Sequence, residues 1–270
     1  MTRTALAASL VFSVVAFAAP PPAPAAPPVL KERPLYLERA ITPEDLKGRS
    51  LRELTLMRNW IYALRGNEFR RRWLADFFAA QPWYQPNQRD FLSGEWQVNR
   101  DFGEGVVKRD DANAERIATF ESELTREDLL ARRDEVRARV KGVAVIPPLD
   151  LIELKLLSIR LGGWAGEGTP PPLSPLEDPA RLDKVLTLES LDDLSPRDLK
   201  ILRNTIFARR GRAFETPLVK GHFKTVEWYQ VDPKYTDARL TDVDKKNVKL
   251  IQSLERQLKR ENETNYMVAA

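Results

Sequence analysis

Two arginines on one helical face, occurring twice in the chain, are the residues best placed to do chemistry. Arg58 and Arg65 lie in Arg58-Asn59-Trp60-Ile61-Tyr62-Ala63-Leu64-Arg65-Gly66. Arg203 and Arg210 lie in Arg203-Asn204-Thr205-Ile206-Phe207-Ala208-Arg209-Arg210-Gly211. At 100° per residue Arg203 falls beside Leu199 and Ile206, and Arg210 joins the same apolar stripe in the last turn. A guanidinium on a core face needs partners, because an unpaired buried charge is costly. It can lay its stem on the core and bind carbonyls or a carboxylate, or it can line an anion-binding cleft. The patterning favours the structural use. Trp83-Tyr84 and Trp228-Tyr229 pose the same choice between a platform for a sugar ring or peptide and a core anchor. Large rings with one polar tip are expected to be anchors. Arg70-Arg71-Arg72 is a basic run on one helix and reads first as a solvated face. If it has a partner, an anionic wall polymer, a lipopolysaccharide or an envelope protein fits better than nucleic acid. Asn59 and Asn204 are expected to bond a loop backbone.

Catalytic chemistry finds less support. His222 is the only histidine and there is no cysteine, so His-rich metal sites, thiolate zinc sites and disulfides are all excluded. His222 matches Phe77 of the other copy, which points to a partly buried helix position rather than a catalytic base. There is no Gly-x-Ser-x-Gly elbow, and Gly162-Gly163-Trp164-Ala165-Gly166 lacks the Lys-Ser/Thr of a phosphate loop. Carboxylates are plentiful, so a glycosidase-like pair stays open, but no two are singled out. The chain is expected to be no enzyme, and to use no cofactor or metal.

The elements that must position these residues follow from the repeat. At a separation of 145 residues, 15 of the 40 positions from Leu46 to Gln85 are identical. A period of this kind defines the structural unit. Ser50 with Glu53, and Ser195 with Asp198, are N-cap signatures, and Pro196 suits the first helical position. Gly66 and Gly211 stop the two helices. A second helix is expected from Arg71 to Ala80, with a weaker counterpart from Leu218 to Val226. Apolar spacing then sets Ile117 and Phe120 opposite Val248 and Ile251, giving the first copy about 14 extra residues. Further helices are expected at Arg126–Val140, capped by Thr125 with Asp128, and at Leu149–Leu161.

Composition divides the chain. Met1 to Thr4 carries one positive charge, Ala5 to Ala18 is a small apolar run, and Ala16-Phe17-Ala18 suits a signal peptidase. The run is shorter than the roughly 20 residues of a spanning helix, which favours a signal cleaved after Ala18 over an anchor. Residues 1–18 are thus read as a signal peptide and 19–37 as an Ala/Pro-rich tether. Residues 38–124 form a first module, 125–161 an acidic helical connector, 162–180 a Pro/Gly linker, 181–258 a second module and 259–270 a polar tail. Residues 38–90 and 190–256 carry +3 and +4, and the stretch between them −5. No other stretch is apolar enough to span a bilayer, so a protein exported to the periplasm or beyond is expected.

The two motifs, each preceded by Arg-Asn-x-Ile and followed by Phe and Trp-Tyr, resemble the YARHG domain of bacteria. The second copy is the more similar, extending through Leu240-Thr241 and Lys246-Asn247 to Ile251. It has Phe207 for Tyr and Arg210 for His, and the first copy has Leu64 for Arg and Arg65 for His. The resemblance implies a small extracellular domain with no assigned activity and no catalytic residues to carry over. The expected fold is mainly α: two small helical YARHG-like modules joined by a helical segment and a Pro/Gly linker. The expected function is non-enzymatic binding or scaffolding in the cell envelope, with a carboxylate-dependent wall hydrolase and a purely structural protein as alternatives.

Overall fold

Serine hydroxyls begin the two equivalent helices, as their capping sequences require. In the computed structural model, which describes residues 34–89, 96–97 and 104–262, Ser50 Oγ accepts from the Glu53 amide while the Glu53 carboxylate accepts from the Ser50 amide. Ser195 and Asp198 repeat this box. Such reciprocal bonds satisfy two otherwise free amides at a helix start. The predicted signal peptide lies outside the described residues, as do most of the tether and the end of the polar tail.

The chain runs through α1 (Pro43–Leu46), α2 (Leu51–Leu64) and α3 (Arg72–Ala79), then the two-residue strands β1 (Gln88–Arg89) and β2 (Trp96–Gln97). It continues with α4 (Glu104–Glu123), α5 (Arg126–Val140), α6 (Pro148–Leu161), α7 (Pro196–Ala208), α8 (Pro217–Phe223) and α9 (Asp242–Asn262). The protein is mostly helical. The strands pair antiparallel, Gln88 with Gln97 and Arg89 with Trp96. In each module the motif helix packs on the last helix, α2 on α4 and α7 on α9.

Gly66 and Gly211 end α2 and α7 with φ of 79° and 92°, a left-handed region that costs a side chain strain. The chain returns onto both glycines. The Asn87 amide donates to Gly66 O at 2.7 Å, and the Asp232 amide to Gly211 O at 2.8 Å. A Cβ at Gly66 would sit 2.3 Å from Asn87 Oδ1, and one at Gly211 2.8 Å from Asp232 Cβ.

Two fully buried asparagines set the register of the last helices. Asn113 Oδ1 accepts from the Ile41 amide and its Nδ2 donates to Arg39 O. Asn247 Oδ1 accepts from the Leu186 amide and its Nδ2 donates to Lys184 O. Ile41 and Leu186, like Arg39 and Lys184, are 145 residues apart, whereas the two asparagines are 134 apart. The first copy therefore carries 11 additional residues, not 14, and Ile117 is the counterpart of Ile251. Apolar spacing alone misplaces α4 by one turn.

The segment read as a connector belongs to the first core. Leu129, Val136, Leu154 and Leu157, from α5 and α6, are buried in one cluster with Leu54, Ile61 and Leu64 of α2. Each such side chain stabilises the fold by roughly 1.5–3 kcal/mol when fully buried. From α6 the Glu153 carboxylate accepts from the Leu51 and Arg52 amides at 2.9 and 2.7 Å, covering the first turn of α2. The Pro/Gly segment is packed as well: Arg137 donates to Ala165 O and Gly166 O, and Leu173 and Leu176 are buried. A second core gathers Leu191, Leu199, Leu202 and Ile206 with Ile251 and Leu254.

Candidate functional site

The repeated arginines each meet a carboxylate from the last helix of their own module. Arg58 Nη1 donates to Glu121 at 2.8 Å, and Arg203 Nε donates to Glu255 at 2.8 Å. Glu121 and Glu255 are 134 residues apart, so the pair is duplicated along with its helices. Arg65 meets Asp111 at 2.7 Å and Arg210 meets Asp244 at 2.8 Å. The aromatic pairs serve the framework. Tyr84 Oη donates to Asn67 O and Tyr229 Oη to Arg212 O, again 145 residues apart. Phe69 stacks on Phe78 at 4.8 Å, and Phe214 on Phe223 at 5.1 Å. Trp83 packs 5.2 Å from Trp60, whereas Trp228 Nε1 donates to Gly162 O at the end of α6. Among the described residues Asn59 and Asn204 bond no loop. Each Nδ2 donates to the carbonyl four residues back in its own helix.

The basic run is a solvated face only at Arg72, whose side chain is exposed while its backbone amide is engaged. Arg70 Nε donates to Leu194 O at 2.8 Å, and its Nη2 to Leu191 O. The Arg71 guanidinium forms a two-bond pair with Asp198, the capping-box acid of α7. The Arg72 amide donates to Asp193. All three residues thus join the first module to the second. Burial works against the Asp198 carboxylate, but the charge and hydrogen bonds of Arg71, with those of Ser195, hold its pKa below the usual range.

Behind this joint lies a cavity of about 90 Å³ between α2, α4, α6, α7 and α8. Four guanidiniums line it, from Arg58, Arg71, Arg160 and Arg197, against two carboxylates, Glu121 and Asp198. Arg58 and Arg197 both point at Glu121, the latter at 3.5 Å. Arg160 Nη1 donates to Glu121 O, while its Nε and Nη2 have no partner among the described residues. The same is true of Arg58 Nε and Asn59 Oδ1, in residues that are 7% and 1% exposed. Burial lowers the Arg160 pKa, with Glu121 opposing the fall and Arg132 adding to it. Burial, and then the Arg160 charge, push His222 down to about 3 against the pull of Asp198, so this ring is neutral at pH 7. A larger groove of about 330 Å³ lies on the other side of Arg71, where Trp73, Ile152 and Leu194 alternate with Asp76, Lys155 and Glu177. Among the described residues no three His, Cys, Asp or Glu side chains come together where a metal could be held.

Residues 30–99 and 178–256 match the YARHG domain, which is more than half of the chain. The chain belongs to the YARHG domain family. Membership carries the coarse meaning of an extracellular or envelope-associated domain of unknown function. No curated protein and no solved structure matches the chain. Among the described residues no helix is long and apolar enough to cross a membrane. In both YARHG modules arginine replaces the namesake histidine, and in both it is tied to an aspartate of the last helix.

Sequence reasoning named Arg58 and Arg71 for this site, and missed Glu121, Arg160 and Arg197. A signal for Glu121 was present. Asp110, Asn113, Ile117 and Glu121 recur as Asp244, Asn247, Ile251 and Glu255, but at an offset of 134 rather than 145. Arg197 recurs as Arg52 at the offset of 145 but nothing linked it to Glu121, and Arg160 has no counterpart mark; the two meet the site only when the modules pack.

Proposed function

We propose that this YARHG protein is a non-enzymatic, exported binding protein of the bacterial envelope. The observation that carries the reading is the joint itself. Two modules are locked by Arg70, Arg71 and Arg72 around a cavity in which guanidiniums outnumber carboxylates. A fixed cleft of surplus positive charge is suited to holding an anionic partner. The groups that could move protons are poorly poised for it. Asp198 is held as an anion by Arg71, and His222 is too weak a base to be charged near neutrality. The expected outcome is that mature protein co-sediments with purified wall material, or retains an envelope protein in a pull-down, and releases no soluble fragments. Failure in both assays would remove the binding reading. Fragment release would replace it with a carboxylate-dependent hydrolase.

A further inference from the structure

We infer that the exposed face of α9 is a docking surface for a linear polyanion of the envelope, a chain with one carboxylate or phosphate charge per repeat. The inference rests on the envelope-binding reading and goes beyond it, because it places the polymer contact outside the joint.

The face is basic from one end of the helix towards the other. Lys245, Lys246, Lys249, Arg256 and Lys259 are all exposed. At 100° per residue, Lys245, Lys249, Arg256 and Lys259 fall within an arc of about 80°. That arc lies opposite the buried stripe of Ile251, Leu254 and Leu258. At a rise of about 1.5 Å per residue, the row from Lys245 to Lys259 runs about 21 Å. The carboxylates described on α9 do not cancel it. Asp244 is tied to Arg210 and Glu255 to Arg203, while Asp242 stands 3.6 Å from Lys245. Lys246, Lys249 and Arg256 form no ion pair among the described residues.

The duplication shows that the fold does not require these cations. At the offset of 134, Asp244, Asn247, Ile251 and Glu255 recur as Asp110, Asn113, Ile117 and Glu121. Those are framework positions, buried or paired in both copies. Lys245, Lys246, Lys249 and Arg256 correspond instead to Asp111, Ala112, Glu115 and Ser122. The same helix in the first module is acidic where α9 is basic.

Geometry selects the form of the partner. The cations stand side by side on a convex surface, so they cannot enclose one small anion. Neighbours along the row are about 5–11 Å apart, comparable with a Debye length of about 8 Å, so their fields overlap. A chain lying along the helix meets them in turn, and its linked contacts reinforce one another. Gln252, Ser253 and Gln257, which stand among and beside the cations, are exposed and polar. This face therefore offers no apolar group to sink into a bilayer.

The test is titration of the full mature protein at pH 7 with polygalacturonate and with long-chain polyphosphate, against neutral dextran. Saturable binding of both polyanions is expected, none of dextran, and at least a tenfold loss when salt is raised fourfold. The tighter of the two probes assigns the source as a carboxylate or a phosphate polymer. The triple variant Lys246→Gln, Lys249→Gln, Arg256→Gln should weaken binding at least tenfold. A control triple, Lys47→Gln, Lys108→Gln, Lys141→Gln, removes the same charge from exposed positions of the other elements and should cost less than threefold. If the α9 triple does not fold by circular dichroism, Lys249→Gln alone takes its place, with at least a threefold loss expected. Dextran bound as well as the polyanions, no saturable polyanion binding, or equal losses in the two triples would overturn the proposal. So would tighter binding to vesicles of anionic lipid or to duplex DNA, or a dimer in sedimentation velocity that the α9 triple abolishes. Co-sedimentation with wall material separates this inference from the reading beneath it. An α9 triple that sediments as wild type would sink the docking surface and leave the envelope reading standing. Loss of wall and envelope-protein binding by the wild type would remove both.

Discussion

The two modules build the same ion pair in different surroundings. Arg58–Glu121 and Arg203–Glu255 are both 2.8 Å long, yet the first has side chains 9% and 8% exposed and the second 25% and 21%. The local cause is shared: an arginine on the motif helix faces a glutamate on the last helix. The difference comes from what covers it. Arg160 of α6 and the α7 and α8 helices of the second module close over the first pair, and among the described residues no equivalent of α6 covers the second. One duplicated contact thus serves as framework twice, but lines a cavity only once.

That contrast can be broken most sharply by truncating each arginine. Arg58→Ala leaves buried Glu121 with only the longer contact to Arg197 and should cost about 3 kcal/mol in chemical denaturation. Arg203→Ala, in a pair open to water, should cost about 1 kcal/mol or less. Equal losses would show that the surroundings do not matter. The capping acids give a second contrast. Asp198→Ala strands Arg71 and should cost about 3 kcal/mol, while Glu53→Ala removes only a cap and should cost about 1 kcal/mol. An Asp198→Ala loss no larger than that of Glu53→Ala would mean that the joint contributes nothing.

The buried asparagines should behave alike. Asn113→Ala unpairs the Ile41 amide and Arg39 O, and Asn247→Ala the Leu186 amide with Lys184 O and the longer-held Leu182 O; each should cost about 1–3 kcal/mol. A clear inequality would mean that the modules do not share this bracket. The smallest effect at neutral pH is expected from His222→Phe, which installs the residue that the first module has at Phe77. Folded His222 has its pKa pushed to about 3 by burial and by Arg160, against 6.5 for the unfolded chain. Between those values the unfolded state binds the extra proton, so stability falls as pH drops from 6.5, by up to about 1.4 kcal/mol per pH unit. The Phe variant should lose that slope between pH 6.5 and 5, as followed by thermal unfolding.

Features decided within one turn of chain were legible in the sequence. Ser50 and Ser195 cap, Gly66 and Gly211 stop, and Thr125 opens α5, because each depends on neighbours no more than a few residues away. The helix after the Trp-Tyr anchor was found but set one turn out of register between the copies, for a physical reason. Sliding an amphipathic helix by one turn keeps its apolar stripe on the core, so Ile117 fits Val248 nearly as well as Ile251. Only the polar bracket of Asn113 and Asn247 breaks that tie. Arg70-Arg71-Arg72 misled for a related reason. A basic run looks solvated until its partners, more than 120 residues away, are known. Of the cavity, Arg58 and Arg71 were visible as arginines, but their neighbours Arg160 and Arg197 arrive only through tertiary packing.

The joint also decides whether the modules could go on adding copies. It is a head-to-tail contact, with arginines of one copy gripping the helix start of the next, and such contacts propagate into open filaments unless something terminates them. The positions of the second module equivalent to Arg70-Arg71-Arg72 are Glu215-Thr216-Pro217, which offer neither guanidinium nor, at Pro217, an amide. At the other end, the first module's helix start is already occupied by Glu153 from α6. Within this pair the grip therefore runs one way: the second module lacks the arginines that would repeat it, and the first module's helix start is covered from within its own core.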